Sequence, residues 1–417
     1  MPISETDVVI VGGGAAGIAA GRRLRSLGVE ALIVEARARL GGRAWTLDGP
    51  VGPLDVGCGW LHSADSNPWL TIAEQQGRAI DKTPPPWERS SAQVGATIED
   101  TKTFGLSLAR YRERIDSLRD DEPDRTAAAF LDPDGRWNGL LDAISTWYSG
   151  AELHRVSARD LARYEDSAIN WRAPDGYGAV VASHGAELRV ELGCEVLRVD
   201  RQSRRLRVET NKGVVGAAAA IVTLPSALIA ENEGLFFPSL PEKTRAAADL
   251  PLGLADKLFL SLADADAFEP DSRAFGKSDS VATAAYQFRP FGRPLIEAYF
   301  GGDLAERLES EGEAGFVDFA SRELVGLFGS DFAKRIAPVG SHGWRADAWA
   351  RGSYSYALPG RADSRALLAA PVEDRIFFAG EACSTPDYST AHGAYRTGIR
   401  AADEAAAALR ARTIAAR

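Results

Sequence analysis

Apolar positions along the chain follow two rhythms. Asp7–Val11 (DVVIV) is a short unbroken apolar run, the pattern of a parallel strand buried on both faces. It breaks at Gly12, gives way to an alanine-rich helical stretch ending near Gly28, and resumes as a second strand, Glu30–Val34. Residues 68–170 turn polar and largely helical, with a proline break at Thr83–Trp87. Alternation returns over 176–210, through Leu188–Leu192, Glu195–Val199 and Arg205–Glu209, and a short apolar strand follows at Ile221–Pro225. Residues 236–370 mix strands (Lys257–Leu262, Val281–Phe288, Leu295–Phe300) with a helix over Glu313–Phe328. Arg375–Ala379 reads as a last strand, followed by a helix from about Ala391 to Arg410.

This interleaving predicts an α/β architecture, α+β overall. A nucleotide domain is expected from three separated pieces, 1–75, 176–235 and 371–417. A helical part, 76–175, and a mixed-sheet part, 236–370, form the expected second, substrate-facing domain. At 417 residues the chain exceeds the size at which one core stops growing, so two domains are expected.

One position breaks the pattern. In LGLADKLFLSL (252–262) Lys257 shares its strand face with Ala255, Phe259 and Ser261, opposite Leu258, Leu260 and Leu262. Read locally, that face points at water, because lysines are rarely buried unless paired.

Composition narrows the chemistry. A chain 45% hydrophobic and 25% charged is an ordinary globular one, and a net charge of −10 disfavours a nucleic-acid surface. Three distant cysteines, Cys58, Cys194 and Cys383, argue against a disulfide framework and for a reducing compartment. With no leader pattern before the first strand and no apolar run long enough to span a membrane, the expected location is cytoplasmic. The five histidines fall in no metal-binding spacing, so no metal is expected. Gly276-Lys277-Ser278 looks like the end of a phosphate loop, but Asp271 stands where that loop needs its first glycine.

Gly12-x-Gly14-x-x-Gly17 sits between the first strand and the helix, with Ala16 in its last gap. Gly12 allows the tight turn, Gly14 a close approach of pyrophosphate, and Gly17 close helix–strand packing. The helix N-terminus offers unpaired N–H groups to phosphate. Glu35, at the end of the second strand, is placed to accept from a ribose diol, which favours FAD or NAD over NADP.

The continuation, Ala36-Arg37-Ala38-Arg39-Leu40-Gly41-Gly42-Arg43, resembles the second glycine motif of the flavin amine oxidase superfamily. Further motifs follow in that family's order. Phe378-Ala379-Gly380-Glu381-Ala382 with Ser389-Thr390-Ala391-His392-Gly393 resembles its last flavin segment. Leu54–His62, containing Gly59 and Trp60, resembles the stretch beneath the isoalloxazine ring; Asn67 and Pro68 match polyamine oxidases, and Ser63 replaces their usual glycine. Val196 matches the position that meets adenine. Trp344–Ser355 resembles the stretch approaching the flavin face, which makes Trp344 a ring neighbour and Tyr354 one wall of an aromatic cage.

The resemblance implies a Rossmann-type FAD-binding domain of the glutathione-reductase-like kind and non-covalent FAD, because Ser353 stands where covalent monoamine oxidases carry cysteine. It implies oxidation of a small-molecule amine, with hydride leaving the carbon alpha to nitrogen, imine hydrolysis, and reoxidation by dioxygen to hydrogen peroxide. Arg37, Gly42, Arg43, Gly380, Glu381 and Ala391 join the glycine turn, Glu35 and Ala36 as expected cofactor contacts. His62 is a candidate for the substrate pocket, and Thr390 stands at the second cage position. The resemblance also moves Lys257 to the place of the family's active-site lysine, with its face turned to the flavin and burial expected to lower its pKa. Two alternatives stay open. One is the same fold on another substrate: a desaturase, a protoporphyrinogen oxidase, or an L-amino-acid oxidase using Arg172 or Arg289 for the carboxylate. The other is a flavin-binding protein without oxidase turnover.

Overall fold

The computed structural model of the chain describes residues 2–89, 93–119 and 121–415. Two sheets organise it. The larger has eight strands, and its parallel part is Val190–Glu191, Ala31–Val34, Pro2–Val11, Gly213–Val222 and Ile376–Phe378. Leu206–Thr210 and Val196–Asp200 extend it in antiparallel fashion, and Phe236–Phe237 ends it. Val8 and Ile10 pack on one face against Ile18, Leu24 and the alanines of the C-terminal helix, Ala401, Ala402, Ala405 and Ala406. Val9 and Val11 pack on the other with Val199, Leu206, Val208 and Ile229. Burial on both faces explains why the first strand reads as a continuous apolar run.

The helix Ala15–Ser26 starts directly after the glycine turn. Gly12 has φ 105°, in the region glycine favours. A Cβ on Gly17 would lie 1.9 Å from the Gly12 carbonyl oxygen, so only glycine lets the helix start this close to the strand. Gly17→Ala should therefore displace the turn and abolish retention of the flavin that the resemblance implies. Purified protein that keeps its yellow colour at the wild-type ratio would contradict this.

The second sheet has five antiparallel strands in the order Ser272–Phe275, Ala285–Phe288, Leu295–Gly301, Ala255–Leu262, Ile336–His342. One face packs Leu258, Leu260, Tyr286, Ala298 and Phe300 against the helices Gly302–Ser310 and Glu313–Phe328. The register puts the opposite side chains in rows: Lys257 lies across from Tyr299, Tyr299 from Ala285, and Ala285 from Phe275. The next row on that face runs Phe259, Glu297, Gln287, Arg273.

The helices Pro68–Gln75, Ile98–Asp116, Asn138–Tyr148 and Ala158–Ala162 account for the polar, helical stretch. Asn67 caps the first, accepting from Trp69 N at 3.0 Å with Pro68 in its first turn. Ser63 takes φ 47°, which explains a glycine preference at this position.

Several strand expectations need correction. Leu188–Leu192 shortens to Val190–Glu191, because Leu188 N still bonds Gly185 O in the turn that closes the helix Tyr177–His184. Val281–Phe288 shortens to Ala285–Phe288, because Thr283 Oγ1 accepts from Lys277 N at 2.7 Å and donates to Glu323 at 2.9 Å, holding a turn. Ile221–Pro225 is the end of a ten-residue strand, Gly213–Val222, whose glycine and alanine content hid its start.

Candidate active site

A single cavity of about 1520 Å³ runs between the two sheets, larger than one drug-sized ligand needs. Its first end is lined by Gly12, Gly14, Ala15, Ala16, Glu35 and Ala36, beyond the C-terminal ends of the parallel strands, where ligands of such sheets bind. Gly14 caps its helix without a side-chain bond, leaving the first-turn N–H groups free. A Cβ on Gly42 would lie 3.2 Å from Gly14 Cα, so the two glycine motifs meet backbone to backbone. The Glu35 carboxylate is held by Gly13 N at 2.7 Å and Arg37 N at 2.8 Å, while the Arg37 guanidinium pairs with Asp347 at 2.6 Å. Val196 lines the same end.

Arg43 and Glu381 form a pair at 2.9 Å. Arg43 also donates to Ser353 O at 2.8 Å, and Glu381 accepts from Ser355 Oγ at 2.6 Å and Ser389 N at 3.1 Å. Burial works against the ionised Glu381, but Arg43, Ser355 and Arg365 outweigh it and hold its pKa below the usual value. Thr390 caps the helix Ala391–Ala415: Oγ1 donates to Asp387 O at 2.6 Å and accepts from Gly393 N at 2.9 Å. Its hydroxyl is thereby committed to the backbone, although Thr390 and Ala391 line the cavity with Gly380.

Further along, Gly42, Arg43, Gly59, Trp60, His62, Lys257, Trp344 and Tyr354 line the cavity. Trp344 is buried and donates from Nε1 to Val56 O at 3.1 Å. Trp60 packs against Trp87 at 4.6 Å. Ser353 accepts from Ala255 N at 2.9 Å and donates back to Ala255 O at 2.8 Å, fastening this segment to the lysine strand.

Lys257 is 7% exposed, which overturns the water-facing reading of its strand. Its Nζ donates to Asp55 O at 2.9 Å and pairs with Glu297 Oε1 at 2.9 Å. The expected downward pKa shift is also corrected. Burial does pull it down, but Glu297, Tyr299 and Asp55 more than compensate, and the net direction is upward. Gly59 stands close by, since a Cβ there would lie 3.1 Å from Nζ.

His62 Nδ1 lies 2.6 Å from Asn170 Oδ1, and Asn170 Nδ2 donates to Ala168 O at 3.0 Å. That second bond fixes the amide so that Nδ1 of His62 carries the proton and Nε2 keeps its lone pair. Burial lowers the His62 pKa, so the ring is neutral at pH 7. Tyr354 OH lies 2.9 Å from Tyr299 OH and also donates to Trp147 O, which fixes both rings.

Sequence reasoning missed Glu297, Tyr299, Trp147 and Asn170, whose relation to the site depends on strand register and helix docking. Arg172 and Arg289 are not free for a substrate. Arg172 pairs with Asp81 at 2.7 Å and Asp271 at 2.8 Å, and Arg289 with Asp266 at 2.8 Å. Neither lines the main cavity. No group of three or more metal-ligating side chains occurs among the described residues, and no helix among them is long and apolar enough to cross a membrane.

These features fit FAD: a glycine cradle with free N–H groups, a backbone-anchored acid, and one cavity of about 1520 Å³, more than one drug-sized ligand needs. Known proteins agree. The family model for flavin containing amine oxidoreductase matches residues 104–406, and that for an NAD(P)-binding Rossmann-like domain matches 10–75. Polyamine oxidase 2 of Arabidopsis thaliana is 27% identical, over 97% of this chain and 89% of its own length. Polyamine oxidase 4 of Oryza sativa subsp. japonica is 28% identical, over 96% and 88%. A solved putrescine oxidase structure, a double mutant from a redesign of cofactor binding, superposes with a TM-score of 0.78 at 17% identity, covering 97% of this chain and all of that one (100%). That likeness concerns the fold; the family match spans most of the sequence. The chain therefore belongs to the flavin-containing amine oxidoreductases and is an FAD-dependent oxidoreductase.

Proposed function

We propose that this chain oxidises a small-molecule amine, primary or secondary, at the carbon alpha to nitrogen. When bound, FAD supplies the hydride acceptor at N5 and is reoxidised by dioxygen, giving hydrogen peroxide; the imine hydrolyses in water to a carbonyl compound. The observation that carries this reading is the continuity of one cavity from the glycine cradle to Lys257 and the tyrosine walls.

In this reading the discontinuous unit 1–75, 176–235 and 371–417 holds FAD, and 76–175 with 236–370 holds the amine. Gly12, Gly14, Ala16, Gly17 and Gly42 give the pyrophosphate close backbone approach, and Glu35 accepts from the adenosine ribose. Ala36, Arg37 and Val196 border the adenosine. Arg43, held by Glu381, offsets phosphate charge. Gly59, Trp60, Trp344, Gly380, Thr390 and Ala391 border the flavin, with Thr390 acting through its cap on the helix start.

For the amine, Tyr354 and Tyr299 offer ring faces that their hydroxyl contacts cannot let swing. The free Nε2 of His62 is an acceptor for the amine N–H. Lys257 has three N–H donors, of which two are taken by Asp55 O and Glu297, so one remains for a water in the cavity.

The pH dependence follows. His62 is lowered from 6.5 and Lys257 raised from 10.5, so neither changes charge between those values. Only the neutral amine can lose hydride, so kcat/KM should rise with pH toward the substrate's own pKa, and rise equally in His62→Gln. Peroxide formation from spermidine, putrescine and phenylethylamine, measured across that range, tests both points. No peroxide from any amine, or a profile flat in pH, would count against the proposal.

A further inference from the structure

The cavity does not end at Lys257. It continues along the inner face of the five-stranded sheet past Tyr299, Ala285 and Phe275 to Arg273. Strand spacing puts the Arg273 strand about 14 Å from the Lys257 strand, three strands across. Aromatic and apolar side chains make up much of the intervening lining, and its polar members Glu297 and Gln287 are engaged by Lys257 and Asp271. Trp147 stacks on Phe275 at 5.4 Å and 13°, and Phe104 meets Phe275 edge-on at 6.5 Å.

Arg273 differs from the other half-buried or buried arginines already described. Arg37, Arg43, Arg172, Arg289 and Arg365 each pair with a carboxylate. Arg273 Nε donates to Gln93 Oε1 at 2.8 Å, and its two Nη groups have no protein partner among the described residues. Its guanidinium rests on the Phe275 ring at 5.0 Å. None of the described carboxylates lining the same cavity pairs with it: Glu297 is taken by Lys257, Glu381 by Arg43, and Glu35 by the Gly13 and Arg37 N–H groups. Burial lowers its pKa to about 10, so it remains charged at neutral pH, and no carboxylate pairs with it among the described residues. A guanidinium fixed along one edge with both Nη groups open is a fork shaped for a carboxylate.

We propose that the amine oxidised by this chain carries a carboxylate at the far end of an apolar spacer, and that Arg273 receives it. The inference rests on the amine reacting at the Lys257 end. An α-amino acid is too short to reach both ends, so the substrate class is an ω-amino carboxylate or a longer amine with an acidic tail.

Three probes test this on the holoenzyme: ω-aminooctanoate, its methyl ester and octylamine. In wild type, kcat/KM for the free acid should exceed that for the ester and for octylamine by about 10- to 100-fold, the worth of a charged hydrogen bond. Arg273→Met should collapse that ratio toward one, and Arg273→Lys should keep part of it. Calorimetry supplies a readout without turnover: octanoate should bind wild type and weaken at least about tenfold in Arg273→Met. The wild-type comparison of acid and ester needs no variant to fold. Equal kcat/KM for acid, ester and octylamine overturns the proposal, as does octanoate affinity that ignores the Arg273 substitution. Oxidation of amines without preference for the acid would remove the anionic site alone. Arg273-dependent octanoate binding with no amine oxidised would instead remove the amine reading and keep the anionic site.

Discussion

Arg365→Met should destabilise the protein by about 3–5 kcal/mol, the cost of leaving a buried carboxylate without its partner. Arg365 and Asp160 are 0% and 1% exposed, and the guanidinium grips the carboxylate through Nε and Nη2, both at 2.7 Å. Nη1 donates to Ser355 Oγ at 2.9 Å, which in turn donates to Glu381 at 2.6 Å. The Tyr388 ring covers the guanidinium at 3.8 Å. The pair thus ties the helix Ala158–Ala162 to Ser364–Ala369 and, through Ser355, to the carboxylate that holds Arg43. Flavin retention should fall along with stability. The double variant Asp160→Leu/Arg365→Met should recover much of the loss, since no charge is then stranded. Urea unfolding measures both, and a single variant within about 1 kcal/mol of wild type would contradict the buried-pair argument.

Lys257→Met should keep FAD bound yet slow flavin reduction or reoxidation by about 100- to 1000-fold, the range seen on removing one well-placed electrostatic group. The substitution keeps most of the side chain's reach but deletes the ammonium beside Asp55, Glu297 and Tyr299. Glu297→Gln provides the matching control. It leaves Lys257 in place without its counter-charge, so the lysine pKa should fall and the pH profile should gain an alkaline-side step that wild type lacks. Stopped-flow measurement of the two half-reactions separates the cases. Wild-type rates for both in Lys257→Met would leave the lysine with a structural role only.

The sequence made the nucleotide end more legible than the amine end, for a physical reason. The glycine turn, Glu35 and the second glycine motif are local: each residue's role follows from neighbours within one β–turn–α unit. Lys257 stood out because a charge in an apolar strand is conspicuous. Its partners did not, since Glu297 and Tyr299 lie on a strand about forty residues away and meet it only through antiparallel register. The sign of its pKa shift followed from those partners, so burial alone gave the wrong direction. Arg273 was invisible for the same reason, and its strand, Ser272–Phe275, is too short to show a period. Arg172 and Arg289 offered themselves in the sequence as carboxylate ligands; the fold commits both to aspartates.

The most direct measurement is anaerobic mixing of the purified, FAD-loaded protein with an amine and with the same amine deuterated at the alpha carbon. The account predicts that the flavin absorbance bleaches in a single turnover, more slowly with the deuterated amine, and that air restores it with release of peroxide. Flavin that stays oxidised with every amine offered, or that bleaches at a rate blind to the deuterium, would contradict it.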